Sequence, residues 1–153
     1  MPDIGEDLVG AYSPSAKGSA VNNAESDAVE VWNRAAGGTS SSARAGDVAL
    51  ARVLRFHSHA EGDGLGEAIE NAMETEFGLC EALAAYRSFD LDGAADLIQV
   101  TFSSLLGVWE REDQQAQARF RESGGEAYAS LDVKAQLTRA LQVKLEVTPH
   151  DFA

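Results

Sequence analysis

The sequence has little cysteine, few basic residues and no long apolar run, and each shortage excludes a class of protein. Its single cysteine, Cys80, rules out an internal disulfide framework and a zinc site built only from the cysteines of one chain. No stretch approaches the roughly 20 apolar residues that a membrane-spanning helix needs. The 12 basic residues stand against 25 acidic ones, giving a net charge of −13 at pH 7. This negative field repels nucleic acid and anionic lipid.

The first 23 residues carry no sign of a secretory signal peptide. They lack a basic start followed by an apolar run, and Asp3, Glu6 and Asp7 come early. The Ser-Pro-Ser sequence at 13–15 is typical of a loop. We therefore expect residues 1–23 to form a loosely attached arm and the protein to be cytoplasmic.

The remainder of the 153 residues has the composition and hydrophobic spacing of one all-α domain. The chain is 44% apolar and 24% charged, which is enough to bury a core. No alternating strand pattern and no Asn-Gly hairpin signal occurs. We predict a bundle of roughly six helices over residues 24–148, followed by a C-terminal tail at 149–153. The clearest amphipathic pattern has its apolar residues at helical spacing, namely Leu91, Ala95, Ile98, Phe102 and Leu105.

Capping residues and glycines divide the predicted bundle into helices. Asp47 is expected to cap the second helix, whose apolar face includes His57. Gly107 is expected to interrupt the helix that opens at Asp90. The glycine pair at 124–125 is expected to break the chain before the last helix, at about 130–146.

The negative charge is concentrated in the middle of the chain. Residues 51–100 hold 10 acidic and 3 basic groups, a net charge of −7, and no Lys or Arg occurs between Arg55 and Arg87. If one helix ran nearly unbroken through this gap, its carboxylates would extend along one line. We name the seven carboxylates of the gap the acidic ridge: Glu61, Asp63, Glu67, Glu70, Glu74, Glu76 and Glu81.

Helical spacing places part of the acidic ridge on one exposed face. Glu67, Glu70 and Glu74 project from the same side, while Leu65 and Ile69 lie on the opposite one. Such a face is either a solvated surface that aids solubility or a docking surface for a basic partner. Carboxylates one turn apart are spaced about 5–6 Å, similar to neighbouring phosphates of one DNA strand. The ridge therefore suits a DNA-binding protein, or a basic toxin or nuclease, as partner.

The segment from about 50 to 106 resembles the acidic DNA-mimic protein family, a group of small helical bacterial domains. The resemblance lies in hydrophobic spacing and one turn, which reads Gly62-Asp63-Gly64 here and usually Asn-Gly-Gly in the family. It implies an all-helical fold and, for some members, competition with DNA for a DNA-binding protein. No individual functional residue follows from it. The matching segments are 54–60, 65–71, 82–86, 89–92 and 94–98.

Residues able to bind metal or perform catalysis are few. His57 and His59 point about 200° apart on a helix, so they cannot share one ion there. His57 lies on the apolar face and is expected to be a packed histidine. Carboxylate metal sites in helical bundles normally use Glu-x-x-His pairs, which the sequence lacks. Cys80 falls on an apolar stripe and is expected to be a small buried hydrophobe. We predict no catalytic residue, metal or cofactor.

The leading hypothesis is a non-enzymatic acidic protein that binds a basic partner through the acidic ridge. Such a protein acts either as a DNA mimic that inhibits a DNA-binding protein or as an immunity protein that neutralises a toxin, without binding nucleic acid or membrane. A first alternative is a metal-binding or hydrolytic bundle that uses His57, Glu61 and the helix carboxylates. A second is a plain structural or oligomerising domain, for instance a homodimer.

Overall fold

The computed structural model describes residues 22–38, 41–76 and 78–153, and it is all-helical over them, as the sequence predicts. These residues contain seven α-helices, where roughly six were predicted. Among these residues no helix is both long and apolar enough to cross a membrane. The predicted arm lies outside the described residues, except that its last two residues begin the first helix. The helices are α1 (Asn22–Ala36), α2 (Ala45–Gly62), α3 (Leu65–Ala72), α4 (Gly78–Ser88), α5 (Asp92–Arg111), α6 (Gln114–Ser130) and α7 (Val133–Val147), followed by a 3-10 turn at Pro149–Asp151.

One hydrophobic core joins all of these helices, and α2 lies at its centre. Helix α2 packs against α1, α3 and α4, while α5 packs against α4 and α6. Leu50 and Leu54 of α2 are fully buried beside Trp32 of α1. The apolar pattern predicted for α5 is confirmed, since its residues are buried and only Phe102 is half-buried.

Three glycines predicted to break helices lie inside them instead. Gly107 lies within α5, and Gly124 and Gly125 lie within α6. A Cβ on Gly124 would lie 3.0 Å from the side chain of Thr101, so this glycine lets α6 approach α5 closely. The predictions were wrong because a glycine costs a helix only about 1 kcal/mol relative to alanine, which tertiary packing offsets.

Cys80 is exposed on α4, so its predicted burial was wrong. The chain turns between Ala72 and Gly78, which resets the helical phase between α3 and α4. The inward face of α4 is therefore formed by Ala82, Ala85 and Tyr86. The sequence left open whether one helix continued through residues 75–78, and the structure shows that it does not.

Asp47 is the third residue of α2 and not its cap, which is Arg44. Its carboxylate accepts hydrogen bonds from the Arg44 backbone N–H at 2.9 Å, the Arg34 guanidinium at 2.9 Å and the Ala153 backbone N–H at 2.7 Å. Burial alone would raise the pKa of Asp47, but these three donors outweigh it and lower the pKa. Asp47 thereby ties α1, α2 and the segment after α7 together.

The predicted tail at 149–153 packs back onto the bundle. Phe152 is 4% exposed and belongs to the core. Its ring lies so close to Gly46 that a Cβ there would be 2.7 Å from it. Only a glycine at position 46 leaves room for the Phe152 ring, so this ring packs against the start of α2.

Candidate functional site

The acidic ridge is interrupted in the middle. Helix α3 ends at Ala72 and α4 begins at Gly78, so no single helix carries all seven carboxylates. A Cβ on Gly78 would collide with the Ala72 carbonyl oxygen, which shows how tight the corner is. Glu74 and Glu76 lie in this corner and are exposed. The carboxylates from Asp63 to Glu81 therefore do not follow one line along a single unbroken helix.

Arginines from other helices neutralise part of the ridge. The Arg121 guanidinium of α6 lies 3.1 Å from the Glu67 carboxylate and also binds Glu70. On the α4 side, Arg52 of α2 lies 3.2 Å from the Glu81 carboxylate. Three ridge carboxylates thus have a cationic partner within the chain itself.

Four ridge carboxylates lack an arginine or lysine partner, and we name them the open carboxylates: Glu61, Asp63, Glu74 and Glu76. Within the described part of the chain, no Lys or Arg nitrogen lies within 4.0 Å of them. The Glu61 carboxylate instead lies 3.3 Å from the His57 ring, and the Asp63 carboxylate lies 3.6 Å from the His59 ring. The structure thus divides the ridge into a neutralised part and an open part.

A groove next to the corner brings cations near one end of the ridge. Arg52 and Arg55 of α2 line it together with Glu74 and Glu81. Arg55 has no ion pair among the residues that the structure describes. The open carboxylate Glu74 therefore shares this groove with two arginines.

Behind Glu61 lies a buried chain of three polar side chains. The His57 Nδ1 atom lies 2.8 Å from the Tyr128 hydroxyl, which lies 2.7 Å from the Tyr86 hydroxyl. All three side chains are buried, which confirms the packed position predicted for His57. Burial raises the pKa of both tyrosines. Burial also lowers the pKa of His57, although the Glu61 carboxylate opposes this effect.

Only one arrangement of protons gives both the Tyr86 and the Tyr128 hydroxyl an acceptor within this group of three side chains. Tyr86 donates to the Tyr128 oxygen, and Tyr128 donates to Nδ1 of a neutral His57. The reverse direction leaves the Tyr86 proton without an acceptor among the described residues. The remaining imidazole proton therefore lies on Nε2. Among the described residues this buried atom has no hydrogen-bond partner, and the Glu61 carboxylate lies 3.3 Å from it without forming one.

The His57 side chain borders a cavity of about 380 Å³. The cavity lies between the end of α2, the end of α6 and the start of α7, and we name it the His57 cavity. Its charged wall residues are Glu61, Asp132 and Lys134, and short residues such as Ala60 and Gly125 form much of the rest. The His57 cavity thus has charges of both signs on its wall and the buried His57 ring at its edge, with the Glu61 carboxylate 3.3 Å from Nε2.

Sequence reasoning identified His57 with Glu61 but missed the two tyrosines. Tyr128 is 71 residues from His57 and Tyr86 is 42 residues from Tyr128, so no short-range spacing joins them. His57 and His59 do point apart, since His57 is buried and His59 is half-buried. Over residues 22–38, 41–76 and 78–153, no three His, Cys, Asp or Glu side chains come together as a metal site.

No family model, curated protein or solved structure matches the chain.

Proposed function

We propose that the chain is a non-enzymatic acidic protein that binds a basic protein partner in the cytoplasm and inhibits it. The observation that carries this proposal is the set of open carboxylates, which have no arginine or lysine partner among the described residues of a chain of net charge −13. Opposite charge on a partner would speed association and favour the complex.

The ion pairs of Arg121 with Glu67 and Glu70 reduce the part of the acidic ridge that is available to a basic partner. Because Glu67 and Glu70 already hold a guanidinium, a basic partner gains less from them than from carboxylates without a counter-charge. We therefore assign the main attraction to the open carboxylates, with Glu67 and Glu70 as a neutralised flank. Glu81 is paired with Arg52 and belongs to the same flank.

A DNA-binding protein and a basic toxin are both suitable partners on this surface. The resemblance to the acidic DNA-mimic family favours the DNA-binding protein. The corner between α3 and α4 limits how many carboxylates follow a phosphate-like spacing. Competition separates the two, because a DNA mimic and duplex DNA exclude each other from the partner, whereas a toxin inhibitor need not compete with DNA.

The test uses capture from a cytoplasmic extract of the source organism with two matched variants. The open variant carries Glu61→Gln, Asp63→Asn, Glu74→Gln and Glu76→Gln. The control variant removes the same four charges from exposed residues elsewhere, by Asp27→Asn, Glu110→Gln, Glu112→Gln and Glu146→Gln. We expect the wild type and the control variant to retain a basic protein that salt releases, and the open variant to lose it.

Duplex DNA is then added to the captured complex. Release by DNA supports mimicry, and resistance to DNA supports toxin neutralisation. Equal capture by the open variant and the wild type would contradict the proposal.

A further inference from the structure

We propose that the His57 cavity binds a small zwitterion of the amino-acid class. The first support is the orphaned Nε2 atom of His57, whose residue is only 3% exposed. A buried donor without a partner costs about 1–3 kcal/mol, so a ligand oxygen that accepts from Nε2–H removes that cost. The Tyr128 hydroxyl holds the other ring nitrogen and so fixes the direction of this N–H group.

The charges of the wall indicate which ligand fits. Lys134 supplies an ammonium group, and within the described residues no carboxylate lies within 4.0 Å of it. Glu61 and Asp132 supply two carboxylates. A ligand carboxylate accepts from Nε2–H and pairs with Lys134, while a ligand ammonium pairs with Glu61 and Asp132. A purely anionic ligand would meet two repelling carboxylates, and a purely cationic one would leave Nε2–H without an acceptor.

The Glu61 carboxylate lies next to the His57 ring on an exposed side chain, which leaves it room to rotate into solvent. Its carboxylate oxygen lies 3.3 Å from Nε2, although the side chain itself is 57% exposed. Its present position shows that a carboxylate fits next to Nε2. When Glu61 rotates outward, a ligand carboxylate takes this position and Glu61 becomes free to contact the ligand ammonium.

The size of the His57 cavity suits a small molecule. About 380 Å³ lies at the lower end of the usual range for ligand pockets, roughly 300–1,000 Å³. The small wall residues Ala60, Gly64, Gly125 and Ala129 leave this space open. The inference does not rest on the proposed basic partner, because ligand binding is measured on the chain alone, although Glu61 belongs to both surfaces.

The test is an NMR titration of the full chain, with the His57 ring nitrogens and the Tyr128 ring as reporters. The probes are glycine, L-serine, L-glutamate and L-lysine, with acetate and methylammonium as single-charge controls. We expect at least one amino acid to shift the His57 Nε2 signal saturably, and neither single-charge control to match it. The free protein should show the proton of a neutral His57 on Nε2.

Two variants place the binding at the His57 cavity. Lys134→Gln should lower the affinity for the amino acid by about fivefold, which corresponds to about 1 kcal/mol. Arg139→Gln, an exposed position on the same helix but outside the cavity, should leave binding unchanged. The proposal is overturned if no amino acid shifts His57 saturably up to tens of millimolar, if acetate binds equally well, or if Lys134→Gln has no effect.

Discussion

The Arg121 guanidinium of α6 lies 3.1 Å from the Glu67 carboxylate of α3, although 54 residues separate the two in the sequence. The same guanidinium binds Glu70, so one arginine joins two helices and neutralises the face that the sequence presents as a free row of carboxylates. The acidic surface is therefore smaller than the acidic ridge. Substitutions of the open carboxylates therefore test the proposed function, whereas substitution of Arg121 tests the packing of α6 on α3.

Replacing Arg121 with glutamine should lower stability by about 1 kcal/mol. The guanidinium would no longer screen Glu67 and Glu70, and the stem that packs over Gly66 would change its contacts. Urea unfolding measures the difference. Arg119→Gln is the control, since Arg119 is exposed and has no ion pair among the described residues, and it should change stability by less. Equal effects of both substitutions would show that the bridge does not stabilise the packing of α6 on α3.

The burial of neutral His57 should make the protein less stable at mildly acidic pH. The pKa of His57 is lower in the folded protein than the ordinary value of 6.5, so the unfolded chain takes up a proton first as the pH falls. Stability should be full above about pH 6.5, fall below it, and level off beneath the folded pKa. Each unit by which folding lowers the pKa is equivalent to about 1.4 kcal/mol.

His57→Gln is the variant that isolates this effect. Glutamine still offers Tyr128 an acceptor but does not titrate, so the unfolding free energy should lose its pH dependence in this window. His150→Gln, at an exposed position, serves as the control and should keep the wild-type profile. An unchanged slope in His57→Gln would refute the assignment to His57.

Two glycine-to-alanine substitutions should act in opposite directions. Gly46→Ala places a methyl group 2.7 Å from the Phe152 ring and the Asp151 carbonyl oxygen, so we expect a loss of about 2 kcal/mol. Gly107→Ala meets nothing within 4 Å inside α5 and should gain about 0.5–1 kcal/mol. Thermal unfolding of both variants measures the two changes in stability. A neutral Gly46→Ala variant would show that Phe152 is not held against α2.

Asp47→Asn should destabilise the protein by about 2 kcal/mol at neutral pH, because an amide replaces a carboxylate that accepts three hydrogen bonds. The pKa of Asp47 is lowered on folding, so its stabilisation is present above the ordinary value of 3.8 and is lost as the pH falls through the folded pKa. The unfolding free energies of variant and wild type should therefore converge in strong acid. Asp27→Asn, at an exposed position, should match the wild type throughout. A gap that persisted in acid would contradict this linkage.

The sequence predicts what depends on local spacing. The apolar residues of α5 follow from helical periodicity. Gly124 shows the limit, because whether a glycine breaks a helix or admits a neighbouring one depends on Thr101, which lies on another helix. Cys80 shows the same limit, since its exposure depends on the phase change at the α3–α4 corner.

The candidate sites were predictable only in part, for the same reason. The acidic residues are visible in the sequence, but the arginines that neutralise Glu67, Glu70 and Glu81 come from α6 and α2. His57 and Glu61 are one helical turn apart and could be paired by spacing. Tyr128 and Lys134, which complete the His57 cavity, come from the far end of the chain.

The most direct test of the proposed function is the affinity of the captured basic protein for the wild type, the open variant and the control variant, measured over a range of salt concentrations. Both variants carry the same net charge, so a general attraction affects them equally. We predict that the open variant binds about tenfold more weakly or worse, with a shallower salt dependence, while the control variant stays close to the wild type. Equal weakening of the two variants would contradict the account, because it would mean that the open carboxylates are only a solvated acidic surface.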